Sequence, residues 1–355
     1  MKRQNCVRRT MLLVALALAA LATTGCETES IAEPGGRPVA QRVLVSGAAS
    51  RAVEDRILAL DPERVTASDV RDTLALGPTP QIMLMHGGIV GVYLAMISTG
   101  KFLVAMGYPQ DRIRHPGDGR WSHSPYENSA HIAGLLAWYY ERDGMRPMMI
   151  GHSQGGVQSV KVLYELAGQL DNPLHVWNPY TDSAEERTKI LDPLTGKERP
   201  VIGVSASYVS GLDSGGIMMI LPNQWKMLDK LRNIPDTAVA FTGYTIGVDF
   251  WPWPIPGFEG SAPFVAMGNT TIRNVVLPMT YDHVNAPYIL PVADIPAARD
   301  WLDAYHPDKL MAHLPPETEE FAMFWAGDIW YSVKKYWTLE AQRLIRAKRN
   351  SPPAH

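Results

Sequence analysis

Short, continuously apolar runs alternate along this chain with longer stretches of helical periodicity. Pro80 to Met85 (PQIMLM) is one such run and reads as a strand buried on both faces. It stops at His86-Gly87-Gly88. Residues 90–106 then read as a buried helix, ended by Gly107-Tyr108-Pro109. Arg112 to His115 is a brief extended piece. Ser124-Pro125-Tyr126-Glu127 has the form of a helix start: a Ser cap, Pro at the first position and Glu three residues after the cap. Ile132, Leu135, Leu136 and Tyr139 follow at helical spacing, and Gly144 closes the segment. Arg146 to Ile150 is the next strand, with Val157, Val160, Leu163, Leu166 and Ala167 at helical spacing behind it. Strand and helix in regular alternation predict an α/β fold, a mostly parallel sheet flanked by helices.

Further along, residues 171–200 are polar and turn-rich and read as an insertion. The runs 201–209 and 237–248 look like two more strands, with a helix over about 223–232 between them. Asn274 to Met279 looks like a last strand. Helices at 297–305 and about 318–348 form a helical C-terminal tail, the second rich in Trp and Tyr and read as packing. The expected organisation is one domain over 41–350, with cap-like insertions at about 171–200 and 211–235.

The first 26 residues stand apart from this pattern. Lys2, Arg3, Arg8 and Arg9 precede an apolar run, Met11 to Ala22, that is short for a bilayer span, and small residues lead to Gly25-Cys26. The segment resembles a bacterial lipoprotein signal, with Cys26 acylated and 26–40 a Pro/Gly-containing tether. It departs from that pattern in having Thr23, not Leu, three residues before the cysteine; a plain secretory signal is the alternative. Glu27 after the cysteine suggests an outer-membrane destination by the same resemblance. Cys6 and Cys26 are the only cysteines, so this reading leaves the mature chain without a disulfide.

The 355 residues are 46% apolar and 19% charged, enough for a sizeable core. Net charge is −3, and loss of the four basic signal residues leaves about −7, which argues against nucleic acid as a partner. No zinc-type His/Glu spacing and no nucleotide-binding glycine loop is present, so no metal or cofactor is expected.

The chemistry concentrates at MMIGHSQGGVQSV, residues 148–160. Gly151-His152-Ser153-Gln154-Gly155 is a G-x-S-x-G pentapeptide that follows a predicted strand and opens a predicted helix. Such a bend needs small neighbours, lifts the serine hydroxyl above the sheet and aims the helix's free N–H groups at a developing oxyanion. Over roughly residues 75–290 the chain resembles the α/β-hydrolase superfamily, and GHSQGG is a form common among its lipases and esterases. That resemblance implies a Ser…Asp/Glu…His triad in chain order and a second oxyanion donor at an earlier strand end.

His86-Gly87-Gly88-Ile89 is similar to the His-Gly oxyanion loop of that superfamily. Gly88 is the expected donor, with Ile89 as fallback, alongside the N–H of Gln154. A base must activate the serine hydroxyl. Among ten histidines, His283 in MTYDHVNAP directly follows the last predicted strand. For the acid, Asp249 at the end of TGYTIGVD leads; Asp213 in SGLDSGG is the rival and Glu259 the third. Leu212 to Gly216 also resembles the nucleophile segment of trypsin-like proteases, but those are all-β and carry their histidine and aspartate before the serine. Residues 250–264 (FWPWPIPGFEGSAPF) read equally as a wall of an apolar pocket and as a packed loop. The expected activity is hydrolysis of a small-molecule ester or lipid. Acyl transfer and a non-catalytic binding role for the same fold stand as alternatives.

Overall fold

A computed structural model of the chain describes residues 51–350, apart from 172, 216–218, 220–221, 247–261, 279, 310–313, 316–317, 319 and the side chains of 320–321. Cys26 and the expected signal and tether lie outside the described residues, as do Asp249, Glu259 and most of the aromatic segment. The helices are α1 (Arg51–Ala59), α2 (Ala67–Asp72), α3 (Val90–Ala105), α4 (Ser129–Asp143), α5 (Gln154–Leu166), α6 (Pro296–Ala304) and α7 (Glu320–Asn350).

Five strands form one sheet: β1 (Ile82–Met85), β2 (Met148–His152), β3 (Ala206–Leu212), β4 (Ala238–Ile246) and β5 (Thr271–Leu277). They lie side by side in chain order, every neighbouring pair parallel. All five therefore end at one edge. Side chains alternate along each strand and separate two cores. Ile82, Leu84, Met148 and Ile150 pack with α3, α6 and α7, whereas Met83, Met85 and Met149 pack with α4 and α5. The architecture is α/β, a parallel sheet between two helical layers.

Helix α7 lies beneath the sheet. Trp325, Trp330 and Trp337 are fully buried there, and charged anchors fix its register: Arg273 of β5 pairs with Asp328, and Glu340 takes both Arg146 and Arg343.

Several elements differ from the sequence expectation. Residues 112–115 form no strand; Gln110–Arg112 is a single 3₁₀ turn, and the residue that bridges to Met85 is His123. Helix α4 starts at Ser129, where the Asn128 side chain accepts the Ala130 N–H at 2.9 Å; Glu127 accepts the Ser124 N–H at 2.7 Å as a capping box would, and also takes His123. The helix expected over 223–232 is a 3₁₀ segment, Pro222–Met227. The 171–200 insertion contains two small antiparallel ladders, 177–178 with 183–184 and 189–191 with 198–200. It packs along α4: Arg187 binds Glu141, Tyr140 donates to Asp192 at 3.1 Å, and Trp177 stacks on His131 at 3.7 Å.

Candidate active site

Strand β2 runs directly into Ser153, which takes φ +57° and ψ −124°, a region that non-glycine residues rarely occupy. Its own N–H donates to Leu212 O of β3 at 2.8 Å, which clamps the elbow to the neighbouring strand. A β-carbon on Gly155 would lie 2.1 Å from Met85 O and 2.6 Å from His86 O. The start of α5 is thus pressed against the end of β1, at a separation only glycine permits.

Three side chains converge above this edge. Ser153 Oγ lies 2.9 Å from His283 Nε2, and His283 Nδ1 lies 2.7 Å from Asp213 Oδ2. A carboxylate can only accept, so Nδ1 carries the proton and donates it to Asp213; Nε2 is left to accept the serine hydroxyl. All three are buried, at 5%, 7% and 2% exposure for Ser153, His283 and Asp213. Bulk water therefore screens the chain of bonds little.

Asp213 takes φ +48°. Its N–H donates to Tyr244 O at 2.8 Å, and its Oδ1 accepts the Ile246 N–H at 3.4 Å. Arg232 donates to Ser214 O at 2.8 Å and stands over the Phe264 ring. Burial pulls the Arg232 guanidinium down to about 10, and the charge of Asp213 works against that fall.

The acid expected first from sequence was Asp249. Among the described residues, the carboxylate that His283 Nδ1 meets is Asp213; Asp249 lies outside the described residues. Asp213 holds the place because it is the first residue beyond β3, and β3 is the strand next to β2. The neighbouring Asp282 is turned to its own loop, accepting the Val284 and Asn285 N–H groups at 2.9 Å each.

Gly87 is the loop residue in contact with the nucleophile. A β-carbon there would meet Ser153 Cβ at 2.8 Å and Ser153 Oγ at 3.2 Å. Gly88 and Gln154, the donor pair expected from sequence, are neighbours; a β-carbon on Gly88 would fall 2.6 Å from Gln154 Oε1 and 2.8 Å from the Tyr126 hydroxyl. Ile89 caps α3 and is exposed. The N-termini of α3 and α5 both begin beside the serine, so two sets of unpaired N–H groups and two positive helix ends meet there.

His86 stands edge-on to Tyr93, and burial pulls its imidazole down to about 4, so it is neutral at pH 7. Sequence reasoning missed Arg232, which carries no motif, and missed the pairing of Glu127 with His123, although the Ser124–Glu127 spacing was visible. Among the described residues, no group of three or more His, Cys, Asp or Glu is arranged to hold a metal, and no helix is long and apolar enough to cross a membrane.

No family model and no curated protein matches the chain. Among solved structures it is similar to RedJ with a PEG molecule bound in the active site, at 13% identity and a TM-score of 0.26, over 60% of this chain and 85% of that one. A likeness that weak bears on neither substrate nor residue roles. The α/β assignment stands on the strand order and the two helical layers.

Proposed function

We propose that the protein is a serine hydrolase of the α/β-hydrolase type that cleaves carboxylic esters. The observation that carries this reading is the unbroken chain of hydrogen bonds Ser153–His283–Asp213, set on a strained elbow at the carboxyl edge of a parallel sheet.

In this mechanism Ser153 Oγ attacks the ester carbonyl carbon while its proton passes to His283 Nε2. Asp213 holds the imidazole in the right tautomer and stabilises the imidazolium. The carbonyl oxygen, now an anion, is met by the N–H of Gln154 and a backbone N–H of the Gly87–Gly88 segment. Collapse expels the alcohol, which takes the proton from His283. Water, deprotonated by the same nitrogen, then adds to the acyl-enzyme and releases the acid. Ile89, Val90 and Leu94, exposed at the head of α3 beside this site, suit an apolar acyl chain. Acylation of Cys26 would hold the domain at a bacterial membrane surface.

Labelling by a fluorophosphonate probe tests the chemistry. Folded wild type should be labelled, Ser153→Ala should not, and p-nitrophenyl esters of graded chain length should be hydrolysed only by the former. Unlabelled folded wild type, or turnover by S153A, would refute the proposal. Metabolic labelling with an alkynyl fatty acid, present in wild type and absent in Cys26→Ser, tests the anchor separately.

A further inference from the structure

Glu127 makes no hydrogen bond to Ser153 or to the His86–Gly88 loop, yet it reaches both elements that carry the oxyanion donors. Toward β1 the connection runs through His123. The His123 Nδ1–H donates to Glu127 Oε2 at 2.9 Å. The His123 backbone N–H donates to Leu84 O at 2.8 Å, and its carbonyl accepts the His86 N–H at 3.1 Å. His123 therefore pairs with the end of β1 as a one-residue strand, and the backbone of the first loop residue hangs from it.

Toward α5 the connection runs through Gln158, one turn after Gln154 on the same helix face. Its Nε2 donates to the Glu127 carbonyl at 2.7 Å, and the side chain is buried. The turn between the two arms is closed by the Ser124 N–H on Glu127 Oε1 at 2.7 Å, with the Arg120 guanidinium at 3.4 Å from Oε2. Tyr126, the residue before Glu127, places its hydroxyl against Gly88.

We propose that Glu127 is a positioning residue that sets the distance between the His86–Gly88 loop and the first turn of α5, and so between the two donors of the oxyanion hole. The proposal rests on the hydrolase reading above. The two donors come from separate elements, the end of β1 and the start of α5, and an oxyanion hole works only if both reach the same oxygen. A carboxylate that accepts from His123 and Ser124 while its own carbonyl accepts from Gln158 fixes that gap from behind. An error of about 1 Å in such an arrangement costs on the order of a hundredfold in rate.

The test uses the full domain with two variants, Glu127→Gln and Gln158→Met. The first removes the charge that holds His123; the second cuts the arm to α5. Each is assayed for kcat and KM on one p-nitrophenyl ester and for inhibition by an alkylboronic acid. That inhibitor accepts Ser153 Oγ on boron while the serine proton passes to His283, and a boron-bound oxygen is left in the oxyanion hole. Both variants should lose kcat by on the order of ten- to a hundredfold, with KM within about twofold and the boronate inhibition constant rising in step with the loss. The double variant should lose less than the product of the two losses, because both cut one tie. If E127Q fails to fold, Q158M carries the test alone. Unchanged kcat and boronate affinity in folded variants would overturn the proposal, as would a rise in KM with kcat intact. Those outcomes leave the hydrolase reading standing if S153A is inactive; turnover by S153A would sink that reading instead.

Discussion

Replacing Asp213 by Asn tests the assignment of the acid most directly. The side chain keeps its size, and Asn tolerates a positive φ, so the +48° turn survives. What changes is charge. When His283 takes the serine proton, its imidazolium stands beside the Asp213 carboxylate, with Nδ1 and Oδ2 2.7 Å apart and both side chains nearly sealed from solvent. With charge centres about 4 Å apart and an effective dielectric of about 20, the attraction is worth about 4 kcal/mol. Each 1.36 kcal/mol is about tenfold in rate, so D213N should lose about a thousandfold in kcat. An Asn amide turned to donate toward Nδ1 would favour the wrong tautomer and add to the loss. The assay is steady-state hydrolysis of a p-nitrophenyl ester at neutral pH, with fluorophosphonate titration to count competent serines. Asp249→Asn, at the acid expected first from sequence, is assayed beside it. A D213N enzyme within about tenfold of wild type, or an equal loss in D249N, would refute the reasoning.

Gly155→Ala drives a methyl into the carbonyl of Met85 at 2.1 Å; overpacking against backbone should cost about 1–3 kcal/mol of stability, with kcat falling too as the loop beyond β1 is displaced, read by denaturant unfolding and turnover on one sample. Glu340→Gln strands Arg146 and Arg343 beside a neutral group buried at 1% exposure and should cost about 3–5 kcal/mol, while activity per folded molecule stays at wild-type level; an unchanged denaturation midpoint would contradict this. Burial pushes the Glu127 carboxyl up, but His123, Arg120 and the Ser124 N–H together pull it from 4.5 to about 2. A depressed carboxyl gives stability that is complete above pH 4.5 and lost as pH falls toward 2, here on the order of 3 kcal/mol. The stability gap between wild type and E127Q should accordingly narrow from pH 5 to pH 3, and a gap that stays constant would show that the charge of Glu127 is not what the fold uses.

The sheet and the serine elbow were legible because each depends on local sequence. A run such as PQIMLM has no amphipathic alternative, and the G-x-S-x-G glycines mark close approaches that side chains would block. The acid was harder to read, and strand boundaries are the reason. The run 201–209 placed the end of β3 three residues early, four residues short of Asp213, while 237–248 ran on to the threshold of Asp249. In the structure β3 ends at Leu212, so Asp213 is the first residue past the edge, while the residues after Ile246 of β4, Asp249 among them, lie outside the described residues. Nor does sequence say which strands are neighbours. Helices α1 and α2 left little trace because they are short, 9 and 6 residues, and bury only Val53, Ile57 and Val70. The Ser124–Glu127 spacing was a true local signal, since Glu127 accepts the Ser124 N–H at 2.7 Å, but the helix itself begins later, at Ser129 under its Asn128 cap.

The reach of the loop that carries the base also follows from the width of the sheet. Strand β5, which leads to His283, stands three places from β2 in the strand order. At about 4.8 Å per strand their ends are about 14 Å apart, more than an imidazole can bridge from above its own strand. The loop after β5 has to cross back over β4. Asp213 at the end of β3, next to β2, meets the imidazole there, and both bonds form at 2.9 and 2.7 Å. Such a crossing needs support from outside the sheet. Buried Tyr281, two residues before His283, supplies it by accepting the Trp325 N–H of α7 at 3.0 Å. Helix α7, whose tryptophans look like plain core packing in the sequence, is therefore also the footing of the loop that brings His283 to Ser153.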